Sequence, residues 1–238
     1  MEEWLSRTSL LVGEEALARL QQSHVLVVGV GGVGAYAAEM IVRAGVGRIT
    51  LLDADEVEAS NLNRQLVALC STLGRPKVDV LRQRLLDINP HLHIEACARY
   101  LEAGDVETLL DGGFDFVVDA IDTLAPKVAL LAACVRRQVP VISSMGAGAR
   151  LDPAAVAYAD ISKTSRCGLA REVRRRLRAA GIERGVAVVY STEEPVASAI
   201  RTVEGERNKR SVTGTVSYLP ALFGCYLAAH VIRQLSEA

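Results

Sequence analysis

The chain has 238 residues and a formal net charge of −1; half of it is hydrophobic but only 4% aromatic, the Ala, Val and Leu economy of an α/β protein with a buried parallel sheet. The near-neutral balance argues against a uniformly basic nucleic-acid binder, though not against a local basic face. The cysteines, Cys70, Cys97, Cys134, Cys167 and Cys225, are odd in number and include no C-x-x-C pair, which argues against a disulfide framework and a Cys-ligated zinc site. No stretch reads as a signal peptide and no apolar run reaches the ~20 residues of a membrane span, so a cytoplasmic protein of one domain is expected.

In chain order, residues 13–20 have an amphipathic pattern, read as a short helix, with Arg7 ahead of it. An apolar run at 25–28 then meets Gly29, Gly31, Gly32 and Gly34 and passes into a helical segment. Glycines let backbone N–H groups approach a phosphate, and the helix points its positive end at the same place. A second apolar run, 48–52, ends in Asp53, at the spacing where a carboxylate accepts ribose hydroxyls. Asp55, Asn61 and Arg64 follow as further nucleotide candidates, with 61–69 expected as a short helix that sets Arg64 above the nucleotide. Gly74-Arg75-Pro76-Lys77 opens a helix running to Ile88, where Lys77 is suited to a phosphate. A dehydrogenase has no use for Arg and Lys converging on phosphates; an enzyme that breaks the α–β bond of ATP does, because charge develops on the leaving pyrophosphate.

Beyond a turn at Asn89-Pro90, residues 91–98 read as a strand that puts His91 and His93 on one face, exposed rather than metal-bound. Strand 114–119, helix 126–137 and strand 140–143 complete a nucleotide-binding half, 1–150, and Met145-Gly-Ala-Gly148 reads as a flexible exit. The half from 151 to 238 has a different texture. Strands are expected at 156–161 and 186–190 and a final helix at 218–235, apolar enough for a core or a dimer interface. Between the strands, 163–178 carries Lys163, Arg166, Arg171, Arg174, Arg175, Arg176 and Arg178 against one acid, and Arg207, Lys209 and Arg210 form a second basic cluster after a polar stretch. Composition alone reads such a run as a solvated helix face; beside a nucleotide site, RNA phosphate becomes the better partner for Lys163, Arg171, Arg174, Arg175, Arg178, Lys209 and Arg210.

The runs GVGGVG, LLDADEVEASNLNRQ, GRPKV and DAIDT resemble the ThiF/MoeB superfamily of ATP-dependent adenylating enzymes, and DISKTSRCGLAREVRRRLR, VVYSTEEP and NKRSVTGTVSYLPALFGC resemble its tRNA threonylcarbamoyladenosine dehydratase branch. The resemblance implies a Rossmann-like ATP-binding α/β fold with a mostly parallel central sheet and a smaller mixed C-terminal half. It implies ATP and Mg2+ as cofactors, with Asp122 helping to hold magnesium and the phosphates. It implies a homodimer in which Arg7 reaches the neighbouring subunit's ATP, tRNA as substrate, and a sulfur-relay protein as a partner to consider. Activation of a ubiquitin-like sulfur carrier's Gly-Gly terminus is the alternative function, disfavoured by the missing zinc cysteines; a non-catalytic or NAD-binding Rossmann protein is the third. Cys167 stays outside the catalytic set, since a lone cysteine that nothing in the sequence activates is usually inert.

Overall fold

A computed structural model of the chain describes residues 3–202 and 211–237. The N-terminal segment holds two helices, α1 (Ser6–Val12) and α2 (Glu14–Gln22), parted by Gly13. Then come β1 (His24–Val28), α3 (Gly34–Arg43), β2 (Arg48–Leu52), α4 (Lys77–Ile88), β3 (His93–Cys97), α5 (Val106–Leu110), β4 (Phe116–Asp119), α6 (Leu124–Arg137) and β5 (Val141–Ser144). The second half adds β6 (Val156–Asp160), α7 (Gly168–Ala179), β7 (Ala187–Ser191), a small hairpin of β8 (Ile200–Thr202) and β9 (Ser211–Thr213), and α8 (Tyr218–Glu237). The main sheet runs β3-β2-β1-β4-β5-β7-β6, parallel throughout except for β6, which pairs antiparallel with β7. No helix among the described residues is long and apolar enough to cross a membrane.

Each central strand buries both faces, which is why the sequence shows continuous apolar runs instead of alternation. Val25, Val27, Ile49 and Leu51 face a core shared with α3, α4 and α8; Leu26, Val28 and Leu52 face a second core shared with α5, α6 and α7. Gly224 lets α8 sit directly on α3, since a Cβ there would lie 2.5 Å from the Val33 carbonyl oxygen. The strands reverse order between β1 and β4, and their C-terminal ends at that crevice are where open α/β sheets place ligands.

Several expected elements differ. Residues 61–69 form no regular helix: a 3₁₀ turn at Ala59–Asn61 and irregular turns replace it, because the Asn61 Oδ1 accepts the Glu58 N–H at 3.1 Å and the Thr72 hydroxyl donates to the Val67 carbonyl at 2.7 Å. The expected strand 91–98 shortens to β3, and His91 drops out of it into a turn where its N–H meets the Asn89 Oδ1 at 3.0 Å; both histidines are exposed. Helix α6 starts two residues before Pro126, which a first turn tolerates, and α1 is an additional helix. Residues 145–148 are tied down, not loose: the Arg150 guanidinium donates to the carbonyls of Gly146 (2.8 Å), Gly148 (3.3 Å), Arg166 (2.7 Å) and Glu193 (3.2 Å). Arg207, Lys209 and Arg210 lie outside the described residues.

His24, buried at the start of β1 with its Nε2 2.9 Å from the Thr50 hydroxyl, has its pKa held below the ordinary 6.5 by burial and then by Arg48, against the opposing pull of Asp115 and Glu95. The folded protein therefore binds fewer protons than the unfolded chain below pH 6.5, and stability drops as pH falls through that point. His230, also lowered by burial, adds a slope of the same sign. The thermal midpoint should fall between about pH 7.5 and about pH 5.5, and fall less in His24→Gln; an equal fall in both would show that His24 does not contribute.

Candidate active site

The site is built around the turn between β1 and α3. Gly29 has φ +87°, and a Cβ on it would lie 2.7 Å from the Ala120 carbonyl oxygen; a Cβ on Gly34 would lie 1.8 Å from that of Gly29. The first glycine is required by conformation and contact, the second by contact alone. The turn is fixed from the β2 side by Asp53, whose Oδ2 accepts the Val30 N–H at 2.7 Å and whose Oδ1 accepts the Asp55 N–H at 2.8 Å. Burial pushes the Asp53 carboxyl above its ordinary value, against those two N–H groups and Lys77, which pull it down. Lys77, the first residue of α4, reaches back across 22 positions to put its Nζ 2.7 Å from the Asp55 Oδ2, and its backbone N–H meets the Asp55 carbonyl at 3.0 Å. Lys77 is buried while Asp55 is half exposed, so the ammonium sits at the inner end of the pair.

Arg64 and Gln65 close the other side. A Cβ on Gly32 would lie 3.5 Å from the Arg64 Cγ, and one on Gly31 would lie 3.7 Å from the Gln65 Nε2. The Arg64 guanidinium donates to the Ser60 carbonyl (2.9 Å) and the Asn63 Oδ1 (3.0 Å), both on its own loop. Asn63 in turn donates to the Thr215 carbonyl at 3.0 Å, tying this loop to the segment before α8. From the β4 end, Ala120 and Ile121 pack on Gly29, and exposed Asp122 comes next in the chain. Glycine turn, Asp53, Asp55, Arg64, Lys77 and the Asp122 segment thus meet at one sheet edge, carrying two cations and three carboxylates around open backbone.

Other predicted residues fall elsewhere. Asn61 is buried, and its amide caps the 3₁₀ turn that positions Arg64. Arg7 is exposed on α1, and no described hydrogen bond or ion pair joins it to the glycine turn within the chain. Helix α7 begins at the same sheet edge as the glycine turn, because the Cys167 Sγ lies 3.6 Å from where a Gly146 Cβ would be, just past the end of β5. Along it Arg171 and Arg178 are exposed, as is Lys163 just before it; Arg175 is also exposed but pairs with Glu172 at 2.7 Å. Arg174 turns inward onto Thr164, donating to its carbonyl at 3.0 Å and its hydroxyl at 2.5 Å. Cys167 accepts the Ala170 N–H as the α7 cap and is buried, an apolar structural position.

Sequence reasoning missed three features. Gln65 is buried against the turn, its Oε1 without a hydrogen-bond partner among the described residues. Arg150 clamps the exit from β5 and left no signal beyond being a lone basic residue after glycines. Lys127 and Asp119 form a fully buried ion pair beneath residues 120–122, and no local sequence pattern marks it.

The sequence model of the ThiF family matches residues 5–238. The chain belongs to the ThiF family. Within the ThiF family it is similar to the tRNA threonylcarbamoyladenosine dehydratase of Bacillus subtilis, at 41% identity over 97% of this chain and 93% of that one. It is also similar to the crystal structure of the Escherichia coli tRNA N6-threonylcarbamoyladenosine dehydratase, TcdA, in complex with ATP, at 33% identity and a TM-score of 0.88, covering 98% of this chain and 93% of that one. The molybdopterin-synthase adenylyltransferase of Escherichia coli is 40% identical over 59% of this chain and 54% of its own length. The Rossmann-like fold of the ThiF/MoeB type expected from the motifs is thereby the observed one.

Proposed function

We propose that this chain is an ATP-dependent tRNA threonylcarbamoyladenosine dehydratase. The observation that carries this reading is the extent of the likeness: dehydratases match 97% of the chain, with its basic second half, whereas the adenylyltransferase leaves about two fifths of it unmatched. ATP lies across the glycine turn, its ribose on Asp53 and its phosphates toward Arg64 and Lys77. The substrate carboxylate attacks the α-phosphorus, and the bond to the bridging oxygen breaks as pyrophosphate leaves. Arg64 and Lys77 stabilise the charge that moves onto pyrophosphate. The substrate's own carbamoyl group then attacks the acyl carbon and closes the ring, giving up one proton to water, as AMP departs with one former carboxylate oxygen. One water is lost overall, and no enzyme nucleophile is needed.

Among the described residues no three His, Cys, Asp or Glu side chains form a metal cluster. Magnesium fits here nonetheless, because it keeps most of its waters and takes one or two carboxylates plus phosphate oxygens. Asp122 is the carboxylate that would hold it, and the ion would neutralise phosphate charge. The reading extends to a homodimer in which Arg7 of one protomer completes its partner's site, to tRNA gripped through Lys163, Arg171, Arg175 and Arg178, with Arg174 bracing the same face, and to work in the cytoplasm.

The test is mass spectrometry of nucleosides from tRNA carrying threonylcarbamoyladenosine, after incubation with protein, ATP and magnesium. A loss of ~18 Da, one water, that requires ATP and drops at least ~10²-fold in rate in Arg64→Ala supports the reading. No mass change, with pyrophosphate exchange only when a Gly-Gly carrier protein is added, would replace it by the adenylyltransferase.

A further inference from the structure

Lys127 and Asp119 are each 0% exposed, with the Lys127 Nζ 2.7 Å from the Asp119 Oδ2. Taking two charges out of water is a costly way to stabilise a fold, and well-packed apolar residues of similar volume usually do as well or better. What apolar residues could not do is hold backbone. The Lys127 Nζ also donates to the Ile121 carbonyl at 2.9 Å, while the Asp119 Oδ1 accepts the Ile121 N–H at 3.1 Å. Both polar backbone groups of Ile121 are therefore gripped by the pair, one from α6 and one from the end of β4. Ser143, beside Asp119 on β5, donates to the Asp119 Oδ2 at 2.6 Å and fixes the carboxylate's rotation. The Ala120 N–H is held by the Val28 carbonyl at 2.8 Å. The segment so fixed is the one that packs on Gly29 and leads into Asp122.

We propose that Lys127, Asp119 and Ser143 form a buried positioning cluster that fixes residues 120–122, and through them sets Asp122 for the phosphates of ATP. The inference rests on the role given to Asp122 above. Lys127 is a positioning residue: it acts through the Ile121 carbonyl and touches no substrate. An ammonium suits the task because it can donate to a carboxylate and a carbonyl at once from one point.

The experiment is a double-mutant cycle on the full-length protein, with kcat and KM for ATP measured in the tRNA dehydration assay and folding checked by thermal midpoint. Lys127→Met should lower kcat/KM for ATP about 10²-fold, the scale of a 1 Å misplacement at a reacting centre. In an Asp122→Ala background the same change should cost no more than about threefold, because the group it positions is gone. Equal fold losses in both backgrounds would mean a general effect on the fold and would overturn the inference. Should Lys127→Met not fold, the paired exchange Asp119→Leu/Lys127→Met, which removes both charges together, and the milder Ser143→Ala carry the same cycle with the same criteria. An Asp122→Ala protein with unchanged ATP kinetics would sink the role of Asp122 itself; a damaged Asp122→Ala protein to which Lys127→Met adds its full factor would sink only the cluster.

Discussion

Gly34→Ala is expected to abolish useful ATP binding, raising the dissociation constant by at least ~10²-fold and lowering the thermal midpoint as well. The added Cβ would lie 1.8 Å from the Gly29 carbonyl oxygen, where real Cβ contacts essentially never fall below 3.0 Å, and what it meets is backbone that no rotamer change can move. Either α3 shifts away from the turn or the turn opens, by on the order of 1 Å, and each movement breaks the N–H arrangement that a phosphate would meet. Gly34 is the sharper test because only close approach requires it, whereas Gly29 also needs its positive φ. Gly113→Ala is the control: its φ is +68° but nothing lies within 4 Å of the added atom, so the change should cost about 1 kcal/mol of strain and leave ATP binding alone. Isothermal titration with ATP separates the two. A Gly34→Ala protein that binds ATP within a few-fold of the parent would show that phosphates do not use this turn.

What could be read from the chain in advance divides along a physical line. β1, β2 and β4 were legible because a strand buried on both faces is a continuous apolar run, and the glycine turn because close backbone approach admits one residue type. Asp53 was legible by its place at a strand's end. Residues 61–69 misled because Asn61 and Thr72, whose side chains replace helical hydrogen bonds, look like ordinary polar helix residues. His91 misled in the same way, its N–H being captured by the Asn89 side chain. Lys127 was invisible for a different reason: its meaning depends on Asp119 and Ser143, which come from different strands, and no local pattern announces a buried charge. Arg174 shows the converse limit, since a basic run cannot tell which guanidinium turns inward onto Thr164 and which faces solvent.

Lys77→Met should separate stability from catalysis at one position. The ammonium is buried at the start of α4 and pairs with an Asp55 carboxylate that is 54% exposed. Removing it returns the Asp55 charge to water and relieves the desolvation of Lys77, so the two consequences largely offset, and Met fills the same volume; stability should move by less than about 1 kcal/mol. The rate should not be spared. Pyrophosphate departs with developing negative charge, and a fixed cation in a water-poor site stabilises that charge far more than it stabilises the ground state, so kcat should fall ~10²- to 10³-fold with a smaller change in KM for ATP. Lys77→Arg should recover only part of the loss, because a planar guanidinium is longer and cannot place its charge at the same point. Denaturant unfolding and steady-state kinetics on the same preparations decide it. A protein that loses several kcal/mol of stability while keeping kcat would make Lys77 a fold residue; a stable, slow one would mark a buried lysine held in place for the phosphates.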